Sequence, residues 1–488
     1  MNPVQEKYVR RKRWLEGRWA EVKLHAAVSL VVSGTLYLEQ PHITLILGGI
    51  LCTVTYSYIG LRETRKAPLW LSPLSFYFLW YSIGMGVSPL YVGLITDSSD
   101  MIRFASAATP ISLQDLSKAY ALYLIGSFTL HLGMQIFRPN LQKEELRQGN
   151  VLALLIVFWA CGLIFQLNPT AFSFLGASGK IFSVALVGST CGFAITRRQT
   201  MGLSPLAYLA FLIVGTLGLF FGNLASGSKA LIMFSFLPIF WFFIIRPRLR
   251  FWIPALALVL GLFYFAIVAP VVYTSRLRPQ EQGQNTRGHL INSFDVWRKE
   301  TLEELDQTFF AEQIDQFLNR QFDAVPVGFI VGEVERSGLL FGETMQYASY
   351  AFIPRVIWPD KPTVTRGAWF SVRLGLFETE ADATTSLGMT AVGELYWNFG
   401  VLGVIGGMLA IGCGQGILWR IAGADPRGNP LRMLLYVTIM LGMADMPEAI
   451  TVIVSLAITF LTFKATFMAL DLVNNYRKGG PSRVNNCV

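Results

Sequence analysis

Apolar runs of about twenty residues recur along this chain, and no other feature narrows its fold as far. A helix needs roughly 20 apolar residues to cross a bilayer core, where its backbone polar groups must be satisfied internally. Such runs lie near 24–38, 42–61, 69–93, 117–137, 150–166, 180–196, 203–221, 229–245, 251–273, 394–419, 431–446 and 449–470. They predict an all-α polytopic membrane protein with about 12 transmembrane helices. Composition agrees, since 53% of the 488 residues are hydrophobic and 15% are charged, against about 25% charged in soluble domains. Mean hydropathy is +0.47. The first run follows a basic N-terminus without a small-residue cleavage pattern, so it reads as a retained span.

Charge geography orients the bundle. With the N-terminus inside, the loops expected inside carry Arg62, Arg65 and Lys66, then Arg138, Lys143 and Arg147, then Arg197 and Arg198, Arg246, Arg248 and Arg250, and Arg420, Arg427 and Arg432. The tail, with Arg477, Lys478 and Arg483, falls on the same side, while loops such as Asp97-Ser98-Ser99-Asp100 fall outside. This is the positive-inside pattern. It divides the chain into a basic interfacial segment (1–23), nine spans (24–273), a long outside loop (274–393), three more spans (394–470) and an inside tail (471–488). Lys7, Arg10, Arg11, Lys12, Arg13 and Arg18, with Trp14 and Trp19, suit a helix lying on anionic lipid, and equally a plain topology signal.

The net charge of +9 does not point to nucleic acid, because the outside insert holds 11 Lys/Arg against 16 Asp/Glu and the positive excess sits in the inner loops. Cys52, Cys161, Cys191 and Cys413 lie in apolar runs, Cys487 lies in the tail, and the four histidines are scattered. No cysteine or histidine spacing fits a metal site, and no cofactor motif is present.

Most residues able to do chemistry fall in the insert. Ser293 to Phe322 reads as an amphipathic helix, Asp323 to Gly342 as a second with Pro326 near its start, and Glu343 to Ile353 as a third stopped by Pro354. The centre, Pro354-Arg355-Val356-Ile357-Trp358-Pro359-Asp360-Lys361-Pro362, has three prolines that forbid a regular helix and favour extended geometry. Arg355, Lys361 and Arg366 follow one another there. Arg276 and Arg278 lie just past the ninth span, on a face where basic residues are disfavoured. Their alternatives are a ligand contact or lipid phosphate. Lys229, after Gly222-Asn223-Leu224-Ala225-Ser226-Gly227-Ser228, opens a helix whose amides favour an anion; it also suits a snorkelling anchor. Glu394 sits where the chain re-enters the membrane, as a helix-start partner of the dipole or as a general base. Trp358, Trp369, Tyr396 and Trp397 suit either sugar stacking or a membrane belt.

Three stretches in this order carry a resemblance: Ser226-Gly227-Ser228-Lys229-Ala230-Leu231, Pro354 to Pro362, and Thr385-Ser386-Leu387-Gly388 leading to Gly393-Glu394-Leu395-Tyr396-Trp397-Asn398-Phe399-Gly400. With the span count and the late outside loop, this resembles the Wzy-type oligosaccharide repeat-unit polymerases of O-antigen and exopolysaccharide synthesis. The likeness covers roughly residues 220–420, and the family often has arginine where Lys229 stands. It implies a GT-C-like bundle with a large helical periplasmic loop in the bacterial inner membrane, both termini being cytoplasmic. The implied activity moves a growing glycan from undecaprenyl diphosphate to the terminal sugar of another lipid-linked repeat unit. Such chemistry would use Lys229, Arg276, Arg278, Arg355, Lys361 and Arg366 around the diphosphate, with Arg355 foremost, and Glu394 as base toward the acceptor hydroxyl. Trp358, Tyr396 and Trp397 would stack on sugars, with no metal. Partners would be undecaprenyl-diphosphate-linked glycans, membrane lipid, a flippase and a chain-length regulator. The alternatives are an O-antigen ligase, a lipid-linked oligosaccharide transporter, and a structural subunit of an export complex.

Overall fold

A computed structural model describes residues 3–67, 71–95, 111–139, 151–167, 180–196, 202–225, 229–272, 295, 298–299, 307–346, 348–351, 353, 357–358, 360, 366–380, 387–426, 429–444, 446 and 448–478. Among these residues the regular structure is helical, with no strand. The helices are α1 (Pro3–Thr35), α2 (Pro41–Lys66), α3 (Pro73–Ile95), α4 (Leu113–Phe137), α5 (Val151–Leu167), α6 (Lys180–Ile195), α7 (Pro205–Ala225), α8 (Lys229–Phe234), α9 (Leu237–Ile245) and α10 (Arg248–Val272). The insert contributes α11 (Gln307–Gln321), α12 (Ala324–Ser337) and α13 (Arg366–Arg373), and the chain closes with α14 (Ala391–Ala422), α15 (Pro430–Ala444) and α16 (Ala449–Lys478).

Each expected apolar run overlaps one of these helices or an adjacent pair. Seven helices among the described residues are long and apolar enough to cross a membrane, and four further apolar stretches are shorter. Their outward faces carry bare hydrocarbon: Leu402 is 81% exposed, Leu206 80% and Leu258 65%. In water such a surface would drive association; in a bilayer it is the solvated face. The architecture is that of an all-α multi-pass membrane protein.

Proline placement explains the irregularities in these helices. The run 229–245 is split between α8 and α9 at Ser235 and Phe236, because Pro238 supplies no amide to the preceding turn. Asn223 donates to Ser235 Oγ at 2.9 Å across this break. Widened π-type turns occur at Ile83–Val87 in α3 and Tyr264–Val268 in α10. Each ends two residues before a proline, Pro89 and Pro270. Pro89 cannot bond the Met85 carbonyl four residues back, and the Tyr120 hydroxyl donates to that carbonyl instead, at 2.7 Å. A helix break inside a bundle is tolerated where a neighbour re-satisfies the freed group in this way.

Helix α4 is the axis of the bundle, with 72% of its apolar window buried. It lies against α14 at closest range where two glycines face backbone. A Cβ at Gly133 would sit 2.7 Å from the Cys413 amide nitrogen, and one at Gly412 would collide with the Leu130 carbonyl. Small residues that let backbones approach are a membrane-bundle device for gaining dispersion contacts.

At the end of α4 bearing Arg138, a buried ion pair locks three helices. Arg138 donates through both terminal nitrogens to Glu63 of α2, at 3.0 and 2.6 Å, and its guanidinium lies 5.2 Å from the Trp419 ring of α14. Lys66 bridges Glu63 at 3.0 Å to Glu21 of α1 at 2.7 Å, and Arg62 also reaches Glu21 at 3.2 Å. Burial and the neighbouring Glu63 carboxylate push Glu21 above the ordinary carboxylate range.

The opposite end of the bundle carries the insert. Lys118 of α4 pairs with Glu335 of α12 at 2.6 Å, Tyr91 of α3 donates to Asp315 of α11 at 2.9 Å, and Tyr123 of α4 donates to Asp323 at 3.1 Å. The apolar face of α12, from Ala324 to Val331, is buried. Two expectations for the insert change. The second helix ends at Ser337, not Gly342, because Gly338 takes a positive φ (82°) and its amide closes the last turn on the Val334 carbonyl. The third is reduced to a tight turn at Glu343–Met345 and a single turn at Ala348–Ala351, since its polar groups bond across to α14 and not along a helix. Of the first expected helix, 293–294, 296–297 and 300–306 lie outside the described residues and Gln307–Gln321 is helical.

Candidate functional site

The start of α14 is where the insert and the bundle meet. Thr390 caps the helix in an unusual conformation (φ 63°, ψ 156°), its hydroxyl accepting from the Gly393 amide at 3.3 Å. One turn in, Glu394 is fully buried, and three donors converge on its carboxylate. Arg366, the first residue of α13, donates to Oε1 at 2.7 Å, and the Thr344 hydroxyl donates to the same oxygen at 2.8 Å. The Ile450 amide, in the first turn of α16, donates to Oε2 at 2.9 Å. A carboxylate at a helix start is favoured by the unpaired amides there; here two helix starts meet on one carboxylate.

Asn398 lies four residues on, hence on the same face of α14. Its Nδ2 donates to Thr344 Oγ1 at 2.8 Å and to the Glu394 carbonyl at 2.7 Å, and its Oδ1 accepts from the Gly342 amide at 2.8 Å. Just beyond, Gly400 breaks the helix (φ 64°, ψ −157°), a conformation that side chains exclude. That break frees the carbonyls of Trp397 and Asn398 from their partners four residues on. The insert takes them: the Leu340 amide donates to Trp397 O at 2.9 Å and the Phe341 amide to Asn398 O at 3.2 Å. A glycine in α14 thus makes the docking edge for the insert.

Aromatic rings seal the other side. Trp397 packs on Trp369 and Phe370 of α13, with centroids 5.4 and 6.1 Å apart, and Phe370 packs on Phe329 of α12 at 5.9 Å. Arg373 lies over Trp369 at 5.3 Å. The mixed character of α13 explains this arrangement: Gly367, Phe370 and Ser371 turn inward, while Arg366 reaches Glu394.

Of the residues singled out from the sequence, Glu394 and Arg366 come together as an ion pair, the cation's side chain being 13% exposed. Trp397 is 2% exposed and is part of the core, so its ring faces are taken by protein. Tyr396 is half-buried beside it. Trp358 is exposed and meets Tyr350 edge to face at 6.2 Å. Lys229 begins α8. Arg276, Arg278, Arg355 and Lys361 lie outside the described residues. Sequence reading missed Thr344, Asn398 and the Ile450 amide. Asn398 carried a signal, its spacing of four from Glu394; Thr344 and Ile450 reach the site only through the tertiary fold. No group of three or more His, Cys, Asp or Glu side chains gathers among the described residues.

Chemically, the site is a buried carboxylate whose charge is balanced by a partly exposed guanidinium carried on a different segment. No protein-family model matches this chain, and neither a curated protein nor a solved structure matches it.

Proposed function

We propose that the chain is a membrane-embedded glycosyltransferase that joins lipid-linked oligosaccharide repeat units at the outer face of a bacterial inner membrane, its twelve spans forming the scaffold and its insert a periplasmic roof. The observation that carries this reading is the contact between Arg366 and Glu394. An insert-borne cation sits on a carboxylate at the start of α14; on this reading that is the mouth of the spans, where an amphiphile with its tail in lipid and its diphosphate at the surface would arrive.

The pair supplies a mechanism. A donor diphosphate competes with Glu394 for Arg366, offering the guanidinium a more highly charged bidentate partner. Breaking a buried pair costs roughly 3–5 kcal/mol when one charge is left uncompensated. Here the cation stays paired, with phosphate, and the released carboxylate regains neutrality by taking a proton. The acceptor sugar hydroxyl is the source of that proton. Its oxygen bonds to the donor's anomeric carbon, the carbon–phosphate oxygen bond breaks, the electron pair goes to the diphosphate, and the hydroxyl proton goes to Glu394 Oε1. Fixed cations then act where charge accumulates, and orientation of two anchored reactants supplies much of the rate. Arg276, Arg278, Arg355, Lys361 and Lys229 would complete the diphosphate cradle, and Trp358 and Tyr396 would meet the sugars.

The test is polymer formation by cells carrying Arg366→Ala or Glu394→Gln at normal membrane abundance. Loss of long glycans in both is expected, and near-normal polymer in both would reject the site. A second reading, export of a lipid-linked oligosaccharide, is favoured by one observation, the burial of His25 and His131 between spans. Translocation of lipid-linked sugar without a new glycosidic bond would select it.

A further inference from the structure

Residues Tyr123, Ser127, His131 and Gln135 recur every four residues along α4, and so share one face of that helix. Arg138, with its partner Glu63, stands at one end of the stripe, and Asp323 of the insert stands at the other. His25, His131, Ser127 and Gln135 are all fully buried. Ionisable groups inside a membrane bundle are costly, and where they form a connected series they mark proton or ion paths.

The hydrogen bonds along this face have one self-consistent direction. The Gln135 amide nitrogen can only donate, and it meets His131 Nε2 at 3.0 Å. His131 then carries its own proton on Nδ1 and donates to His25 Nδ1 at 3.2 Å. His25 in turn carries its proton on Nε2 and donates to the Tyr56 hydroxyl at 3.0 Å. Tyr56 donates to Ser127 Oγ at 2.8 Å, and Ser127 donates to the Tyr77 hydroxyl at 2.7 Å. The hydrogen-bonded row is described as far as Tyr77; beyond it the Tyr81 ring lies between, its centroid 4.6 Å from that of Tyr77 and 6.3 Å from that of Tyr123. Tyr123 donates to Asp323, which is half-buried at the start of α12.

A second observation bears on the direction of this row. Gln135 Oε1 is buried and has no hydrogen-bond partner among the described residues. Turning the amide over would let Oε1 accept from His131 Nε2–H, and every bond in the row would then reverse. The two directions differ by the passage of one proton. A proton bonds to His131 Nε2 as His131 Nδ1–H breaks and His25 Nδ1–H forms. Then His25 Nε2–H breaks as a Tyr56 O–H forms, and the same exchange runs through Ser127 to Tyr77, whose original proton leaves. One proton enters, one is released, and no member keeps a charge. At one end Asp323 takes or supplies that proton. At the other stand the carboxylates Glu63 and Glu21, with Arg138, Lys66, Arg62 and Arg18 around them.

From this juxtaposition we infer that the polar face of α4, completed by His25, Tyr56 and Tyr77, is a proton-transfer path joining the two ends of the bundle. It is separate from the Glu394 site, and it stands whether the chain forms glycosidic bonds or exports lipid-linked sugars. Its role would be to let a proton gradient do work on the helices that carry it.

The experiment uses the purified full-length chain in liposomes holding a pH-sensitive dye, with a potassium diffusion potential driving protons inward. Proton entry at least tenfold faster than in protein-free liposomes is expected. Ser127→Ala, which removes one hydroxyl and breaks the Tyr56–Tyr77 link, and His131→Gln, which keeps hydrogen bonding but not imidazole exchange, should both return the rate to background. Asp323→Asn, at a half-buried helix start, should slow it and gives a readout that does not depend on core folding. Thermal unfolding of each variant in detergent separates the path from a merely structural network, which would move the melting temperature and not the flux. Background flux from the wild-type chain overturns the inference, as does wild-type flux from all three variants.

Discussion

Two arginine–carboxylate pairs among the described residues lie at opposite ends of the bundle, and they are built differently. Arg138 and Glu63 are 2% and 0% exposed, bonded through both guanidinium nitrogens, backed by Trp419 and carried by two bundle helices. Arg366 and Glu394 are 13% and 0% exposed and joined at one nitrogen, and the cation belongs to a short helix of the insert. A bidentate pair between packed helices has no route to another partner. A single contact to a partly exposed cation on a separate segment does. On the function proposed above, the first pair holds the bundle and the second exchanges partners when an anion arrives.

Substitutions at the two ends sharpen that contrast. Arg138→Ala leaves Glu63 buried without its bidentate partner, Lys66 still reaching it from the side of Glu21, and should lower stability by roughly 3–5 kcal/mol, read as the loss of folded protein in a detergent thermal melt. Arg366→Ala leaves Glu394 with two neutral donors, the Thr344 hydroxyl and the Ile450 amide; the carboxylate regains neutrality by taking a proton, so no charge stays uncompensated and the cost should be about 1–3 kcal/mol while product formation is lost. Equal destabilisation by the two would erase the distinction. Gly412→Leu puts a side chain against the α4 backbone and should cost roughly 1–3 kcal/mol, with no change in proteolysis of the insert. Asn398→Ala removes the clasp on Thr344 and Gly342 and should cost about 1–2 kcal/mol; limited proteolysis should then cut the insert faster, and an unchanged cutting rate would contradict the docking role. Lys118→Ala breaks an exposed pair and should shift stability by less than about 1 kcal/mol.

Much of the bundle was legible in the sequence because membrane crossing imposes a length and a hydropathy that single runs satisfy on their own. Breaks were harder to read. Pro238 is visible in the sequence, but the rescue of the Met85 carbonyl by Tyr120 depends on packing between α3 and α4. Glu394 stood out because a carboxylate at a re-entry point is unusual, and Arg366 because it follows a Pro-rich segment. That one would neutralise the other was not readable, since 28 residues separate them and a turn of the insert brings them together. The aromatic residues were ambiguous from sequence for a simple reason: Trp397 has the composition of a binding face and the burial of a core residue. The His25–His131 contact joins residues 106 apart; from sequence they were two of four scattered histidines, and only helix packing makes them neighbours.

The most direct test uses the purified full-length chain in lipid nanodiscs, given lipid-linked repeat units extracted from the cells that make it, in excess chelator. The expected result is a ladder of longer lipid-linked glycans, present with the wild-type chain and absent with Glu394→Gln, the two proteins having equal thermal stability. No chain lengthening by the wild type, or equal ladders from both proteins, would contradict a sugar-joining site at the junction of α14 and the insert.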